Sequence, residues 1–372
     1  MSVYFDHAAT TPPDPKVIEL AHELMKTIYG NASSVHSQGR KARVVVENAR
    51  KDIAALLNVK PQEIFFGASA TEWLNSILYH LPKKFPLKKI ITTEIEHQAI
   101  LKNCLRLQEF YGIELHFIAL NSFGQLDLEN LEFLLQASQE KQDTLVVLAH
   151  ANNEIGNLIP LKEVSKLCKT HQALFACDMV QTMGKYNIDL GVADIDFAFG
   201  SAHKFHGLKG AGIAYISSKY KIEPLLVGGG QEYGFRAGTE NVISIAAAAE
   251  ALNIAVSDLS KNQNHILALK QYYIERLRAL NIPVRFFGTC ETGGLYNLIN
   301  VQFEDYDSEI LTMKLDIAGF CVGSGSACNS GVNQPSHVIS KLYPKNPHSL
   351  RFSFGRFNTR EEIDRLFKFL PF

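Results

Sequence analysis

Lys204 closes the tetrapeptide SAHK (201–204), which follows the apolar run DFAFG (196–200). A lysine held inside a cleft can lose its proton and condense with a carbonyl to form a Schiff base. Asp178 directly follows a second apolar run, ALFAC (173–177). A buried carboxylate there needs a cation or strong donors; a pyridinium nitrogen supplies one, and a nearby arginine is the alternative. Residues 67–71 (GASAT) follow the run IFF (64–66) and precede a helical pattern. Free N–H groups and hydroxyls at such a turn suit a phosphate, although an ordinary N-cap reads the same way. Lysine for a Schiff base, carboxylate for a ring nitrogen and helix N-terminus for a phosphate together form the set that pyridoxal phosphate requires. Each member alone is common, and only the conjunction is specific.

Two further groups stand near the C-terminus. Cys328 lies in GSGSACNSG (323–331), among small polar residues where a thiol is exposed and able to reach a neighbour. Most loop cysteines have no role, so the residue alone proves little. Cys321 follows IAGF and is expected to be buried and inert. Arg351 lies inside the apolar run SLRFSFG (349–355), where an unpaired charge is costly. A carboxylate ligand is one partner for it, and an internal ion pair is the other. HKFH (203–206) lacks a third ligand nearby, so no metal site is expected. GSGSA (323–327) lacks the third glycine and the strand–helix context of a dinucleotide loop, and no GxxxxGK[ST] occurs.

The elements that must hold these groups alternate. IFF, KIIT (89–92), ELHFIA (114–119), TLVVLA (144–149), ALFAC, DFAFG and GIAYIS (212–217) read as strands. Helical patterns over 99–111, 128–138 and 162–170 fall between them. Near-continuous apolar runs fit a mostly parallel sheet covered on both faces. In such sheets ligands bind beyond the carboxyl ends of the strands. Those ends carry GASATE, TEIEH (93–97), HANNEIG (150–156), DMVQ (178–181) and SAHK, one rim rich in Ser, Thr, His, Asp and Lys. An alanine-rich helix over 241–258 then connects to a helix at 266–280, a strand at 297–303, a helix at 308–318 and a strand at 349–355. The fold class is therefore α/β, with a large domain over 14–250. Residues 1–13 and 251–372 form a smaller α+β domain carrying a mobile cysteine loop at about 321–333.

The 372 residues, 41.5 kDa, are ample for two such domains. Net charge is −1 with 20% charged and 46% hydrophobic residues, which excludes a globally basic nucleic-acid binder and an acidic disordered chain. The longest apolar stretch, 242–256, is broken by Ser244, Glu250 and Asn253, too short and polar for a bilayer. No apolar signal core opens the chain. Six cysteines without CxxC spacing argue against a disulfide scaffold and for reduced thiols in a cytoplasmic protein.

YFDHAATTP (4–12), GNASSVH (30–36), HANNEIG, Asp178-x-x-Gln181, SAHK, GFRAGTEN (234–241), GSGSACNS and LRFSFGRFNT (350–359) occur in this order along nearly the whole chain. Together they resemble the cysteine desulfurases of the nitrogen-fixation and iron–sulfur-cluster-assembly group. These are pyridoxal-phosphate enzymes of the class V aminotransferase type, with the fold type I architecture.

The resemblance implies a role at each matching position. Lys204 is the Schiff-base lysine, Asp178 the partner of the pyridine nitrogen, and Gln181 the donor to the ring hydroxyl. His97 stacks on the ring and relays protons. Ala70, Thr71, Ser201 and His203 hold the phosphate, and Thr239 reaches the phosphate of a partner subunit, which implies a homodimer. Asn153 and Arg351 grip the substrate carboxylate, Asn153 also bordering the cofactor. Cys328 takes the sulfur of L-cysteine as a persulfide and passes it to an acceptor, either a cluster scaffold or a tRNA-thiolation enzyme. No nucleic acid or membrane partner is implied. Other class V aminotransferases and selenocysteine lyases share Lys204 and Asp178 without needing a thiol in that loop, and an inert scaffold of the same fold needs neither. Two positions depart from the family pattern: Ser69 stands where glycine is usual, and Met179 interrupts the common DATQ.

Overall fold

The computed structural model describes residues 2–137, 141–324, 336–345 and 348–370. A short strand, β1 (Val3–Tyr4), opens the chain. The next seven are β2 (Ile64–Gly67), β3 (Lys89–Thr92), β4 (Glu114–Phe117), β5 (Thr144–Ala149), β6 (Leu174–Asp178), β7 (Phe197–Ser201) and β8 (Gly212–Ile216). They form one sheet in the order β2-β8-β7-β6-β5-β3-β4. Pairs β3–β4, β3–β5, β5–β6 and β6–β7 are parallel, and β8 is antiparallel to both its neighbours. Every strand except β8 therefore ends on the same rim, where the polar segments were expected.

Side chains alternate between two apolar layers although both layers are buried, which is why the runs show no period-two polarity. Ile64, Phe66, Val146 and Leu148 enter one layer, with helices Ser37–Leu56 and Val242–Ser257. Phe65, Leu145 and Val147 enter the other, with helices Ala70–Lys84 and Gln98–Tyr111. Helix Val242–Ser257 is largely buried and packs against both Ser37–Leu56 and Pro15–Thr27, with Asn253 and Ser257 left exposed. No single helix among the described residues is long and apolar enough to cross a membrane.

A 73° bend at Asp258 turns the chain into helix Leu259–Ala279. This helix begins seven residues before the expected 266, because its first two turns (LSKNQNH) are polar and show no apolar stripe. Strands β9 (Val284–Phe286), β10 (Leu298–Phe303), β11 (Phe320–Cys321), β12 (Gly323–Ser324) and β13 (Leu350–Ser353) follow. They build an antiparallel sheet β12-β13-β10-β9 and a parallel pair β1–β11. β9 has three residues and was not legible as a strand. Val3 and Phe5 pack with Tyr273, Phe320, Phe352 and Phe354, so the N-terminal strand shares the core of this second sheet. Cys321 is half-buried beside Tyr4 rather than fully buried, since β11 forms only a two-residue edge pair. Burial and the Asp316 and Asp6 carboxylates still push its thiol up.

Candidate active site

The rim of the large sheet opens into a cavity of about 310 Å³. Of the residues singled out above, Ala70, Thr71, His97, Asn153, Asp178, Gln181, Ser201, His203, Lys204 and Arg351 all line it. Thr239 does not. It borders a separate cavity of about 180 Å³ with Gly67, Ala68 and Arg236, on the other side of the 67–71 turn. Cys328 lies outside the described residues, as does most of the expected cysteine loop.

Each wall has a local cause. Ser69 caps helix Ala70–Lys84 by accepting from the Glu72 N–H at 3.1 Å, a common N-cap arrangement. The serine that replaces the family's glycine thus has a structural role of its own. The turn can lie this close to β8 because residue 212 is glycine: a Cβ there would stand 2.4 Å from the Ser69 carbonyl carbon. His97 caps the next helix, its Nδ1 accepting from the Ala99 N–H at 3.1 Å. Met179 is buried with Met183 in the layer below the sheet, so its departure from the family pattern does not reach the cavity.

Asp178 ends β6 and its Oδ1 accepts from the Val180 N–H at 2.9 Å. Burial raises its pKa above the usual carboxylate value, with His97 and Lys204 opposing the rise. Lys204 Nζ donates to the carbonyls of Ala8 and Ala9, both at 2.7 Å. Gln181 Nε2 donates to the same Ala8 carbonyl at 2.9 Å. His203 shares a hydrogen bond with Thr10 Oγ1 at 3.0 Å, and burial beside Lys204 pulls it down to about 4, so its imidazole is neutral. Ala8 and Ala9 therefore form part of the cavity wall, held by the lysine turn itself.

Arg351 Nη2 pairs with Asp6 Oδ1 at 2.8 Å and Nη1 donates to the Asn153 carbonyl at 2.9 Å. The structure shows the internal ion pair, and the residue also borders the cavity. Its Nε is buried without a protein partner, a donor left over for a carboxylate.

Four residues at the site carried no sequence signal that was used. Glu96, adjacent to His97, is fully enclosed and accepts from Thr93 Oγ1 at 2.7 Å and the Ala149 N–H at 2.8 Å. Burial pushes its carboxyl up to about 8. Lys185 is buried against Gln181, Asp6 pairs with Arg351, and His337 borders the cavity with Nε2 at 2.9 Å from the Glu96 carbonyl. Lys185 was visible as a charge within the run MVQTMGKYNI, four residues after Gln181.

Residues 3–366 match the family described as Aminotransferase class-V. The chain belongs to the class-V aminotransferase family. Within that family it is 36% identical to a protein of Dictyoglomus turgidum named cysteine desulfurase IscS, over 97% of this chain and 92% of the relative. It is 38% identical to a cysteine desulfurase of Klebsiella pneumoniae, over 99% and 92%. Among solved structures, a NifS-like protein superposes with a TM-score of 0.90 at 36% identity, covering 99% of this chain and 98% of the other. The class-V enzymes work with pyridoxal phosphate, and the residues present fit it. A buried carboxylate asks for a cation, a helix N-terminus with hydroxyls faces the same space, and a lysine lies across from both.

Proposed function

We propose that this chain is a pyridoxal-phosphate-dependent cysteine desulfurase, which converts L-cysteine to L-alanine and leaves the sulfur as a persulfide on Cys328. The observation that carries the reading is the single cavity bordered by Lys204, Asp178, Gln181, His97, Asn153 and Arg351. Ala70, Thr71, Ser201 and His203 would hold the cofactor's phosphate, Asp178 its ring nitrogen, Gln181 its hydroxyl and Lys204 its carbonyl carbon. Bound there, pyridoxal phosphate supplies the electron sink that makes bond breaking at the substrate Cα accessible.

The protein's own groups do the rest. Arg351 Nε and the Asn153 side of the cavity bind the substrate carboxylate and orient the Cα–H bond toward Lys204. The Lys204 amine takes the Cα proton as general base. Asp178 stays ionised beside a positive ring, the ion pair offsetting the cost of its burial. The Cys328 thiolate attacks the substrate sulfur: an S–S bond forms, the C–S bond breaks, and its electrons return to the carbon skeleton. His97 supplies protons as alanine is completed. The stoichiometry is L-cysteine plus Cys328 thiol giving L-alanine plus Cys328 persulfide, with no outside oxidant.

An acceptor protein then takes the sulfur. The place of Thr239 against Gly67 and Ala68, outside its own chain's Lys204 cavity, supports a homodimer in which it completes the partner's phosphate site. The free thiols of Cys104, Cys168, Cys177, Cys290 and Cys321 support a cytoplasmic setting.

Cys328→Ser tests the reading. The variant should still turn yellow with cofactor and still be labelled at Lys204 by borohydride reduction, yet release neither sulfide nor alanine from L-cysteine. Unchanged release would refute the persulfide role, and absence of label on Lys204 would refute the cofactor assignment.

A further inference from the structure

Lys185 follows Gln181 by four residues on the turn after β6, and its side chain is enclosed. Nζ donates to Gln181 Oε1 at 3.1 Å. Gln181 Nε2 in turn donates to the Ala8 carbonyl at 2.9 Å, which also accepts from Lys204 Nζ at 2.7 Å. Two lysines are thus joined through one amide and one carbonyl. Lys185 does not border the 310 Å³ cavity; it lines a smaller one of about 40 Å³ with His7, Lys204 and His206.

A glutamine amide has a donor end and an acceptor end, and turning it over exchanges them. Its partners decide which end faces the cavity. A lysine can anchor only the oxygen, because an ammonium offers donors and no acceptor. We infer that Lys185 is a positioning residue for Gln181: by donating to Oε1 it fixes the amide so that this side chain offers only N–H to the cofactor's ring hydroxyl. The inference rests on the proposed cofactor and on the place of Gln181 beside it.

A lysine here is otherwise hard to account for. The charged and titratable groups around it are Lys204 on the β7 turn, Arg351 on β13, His7 on the N-terminal segment, His203 and His206 beyond β7, and Tyr296 and Arg356 lining the same small cavity. None of these is a carboxylate. From helix Leu259–Ala279 the Gln263 amide donates to the Lys185 carbonyl at 2.7 Å. Burial, together with the Lys204 and Arg351 cations, pulls the amine down to about 7. The positioning role belongs to the protonated amine, which has donors and no acceptor; a neutral amine carries a lone pair that accepts an N–H and so does not select the amide oxygen. An apolar side chain would avoid the desolvation cost but would leave Oε1 unanchored.

The test titrates the visible absorption band of the holoenzyme across neutral and alkaline pH. A donor to the ring hydroxyl oxygen favours its deprotonated form, so losing that donor raises the midpoint. Lys185→Met should shift the midpoint upward by about one pH unit and weaken cofactor retention about tenfold. Lys185→Arg, which keeps donors and no acceptor, should stay near the wild type, whereas Lys185→Gln, whose amide offers both, should shift part of the way; both keep the test alive if the methionine variant does not fold. An unshifted Lys185→Met would overturn the inference. So would a Lys185→Arg midpoint displaced as far as that of Lys185→Met, because donors at this position would then not be what orients Gln181. A wild type that develops no band with pyridoxal phosphate would overturn the cofactor reading, and this inference with it.

Discussion

Gly323 and Arg351 face each other across the antiparallel pair β12–β13, and the missing side chain at 323 is what leaves room for the guanidinium. A Cβ at 323 would stand 2.9 Å from Arg351 Nη2, 3.0 Å from its Nε and 3.0 Å from Asp6 Oδ1. The arginine cannot retreat, because Asp6 and the Asn153 carbonyl hold its two terminal nitrogens. Gly323→Ala should therefore raise KM for L-cysteine about tenfold, the loss of one well-placed charged hydrogen bond. Cofactor absorbance should not change. Steady-state alanine formation measures the first and a spectrum the second; an unaltered KM would show that the carboxylate binds elsewhere.

Arg351→Lys keeps the charge but loses the planar fork and the Nε donor. The expected result is a fall in kcat/KM for L-cysteine of about a hundredfold, carried mainly by KM. Because Arg351 also pairs with Asp6, thermal unfolding of the same variant shows whether the fold is disturbed. An equal loss in kcat with constant KM would move Arg351 out of substrate binding.

Glu96 gives the protein a pH dependence of known sign. Its carboxyl titrates at about 8 in the fold against an ordinary value of 4.5. Between those values the native state keeps a proton that the unfolded chain releases, so stability is full below the lower value and is lost as pH rises through the upper one. The slope from this group reaches at most about 1.4 kcal/mol per pH unit. Glu96→Gln removes it, and the amide can accept from the Ala149 N–H while donating to Thr93 Oγ1. Urea midpoints at several pH values should show the wild type losing stability towards alkaline pH relative to the variant. Parallel curves would mean that Glu96 ionises normally.

Arg50 and Glu232 form a buried bidentate pair, Nη2–Oε1 at 2.8 Å and Nη1–Oε2 at 3.0 Å, both side chains nearly inaccessible. Glu232 Oε2 also accepts from the Phe66 N–H at 2.7 Å, which pins the segment leading to Thr239 against edge strand β2. Residues 232 and 233 sit at φ of 47° and 55°, a conformation that persists only where surroundings enforce it. Glu232→Ala should cost about 3–5 kcal/mol, mostly through a buried arginine left with only Glu47, at 3.3 Å from its Nε, and the Ile64 carbonyl as partners. Adding Arg50→Met should recover part of that loss in chemical denaturation, and a double variant less stable than the single would contradict the assignment.

Much of this site was legible because strand ends are legible. The runs ending at Asp178 and Ser201 are apolar on both faces, so the first polar residue after each marks the rim, and a parallel sheet gathers those residues on one side. What the sequence did not show were groups whose importance depends on distant partners. Asp6 matters through Arg351, 345 positions away. Lys185 resembles a surface lysine until Gln181 and the crossing N-terminal segment close over it. Glu96 is followed by a histidine of expected role and reads as an exposed turn residue, yet the β5 backbone buries it. Gly323 looks like a hinge, and only its cross-strand register with Arg351 reveals a packing constraint. Strand β9 is too short to show a pattern, and its pairing with β10 alone defines it.

Strand β1 finds its partners at the far end of this sequence. Val3 pairs with Phe320, Tyr4 with Cys321 and Asp6 with Ser353, so β1 has no partners until nearly the whole chain has emerged. The carbonyls of Ala8 and Ala9 that meet Lys204 hang from that strand. The segment that covers Lys204 is thus fixed twice, nearby by the Thr11 N–H on the His203 carbonyl at 2.9 Å and at its start by a pairing with the far end of the sequence, the kind of long-range contact that forms late.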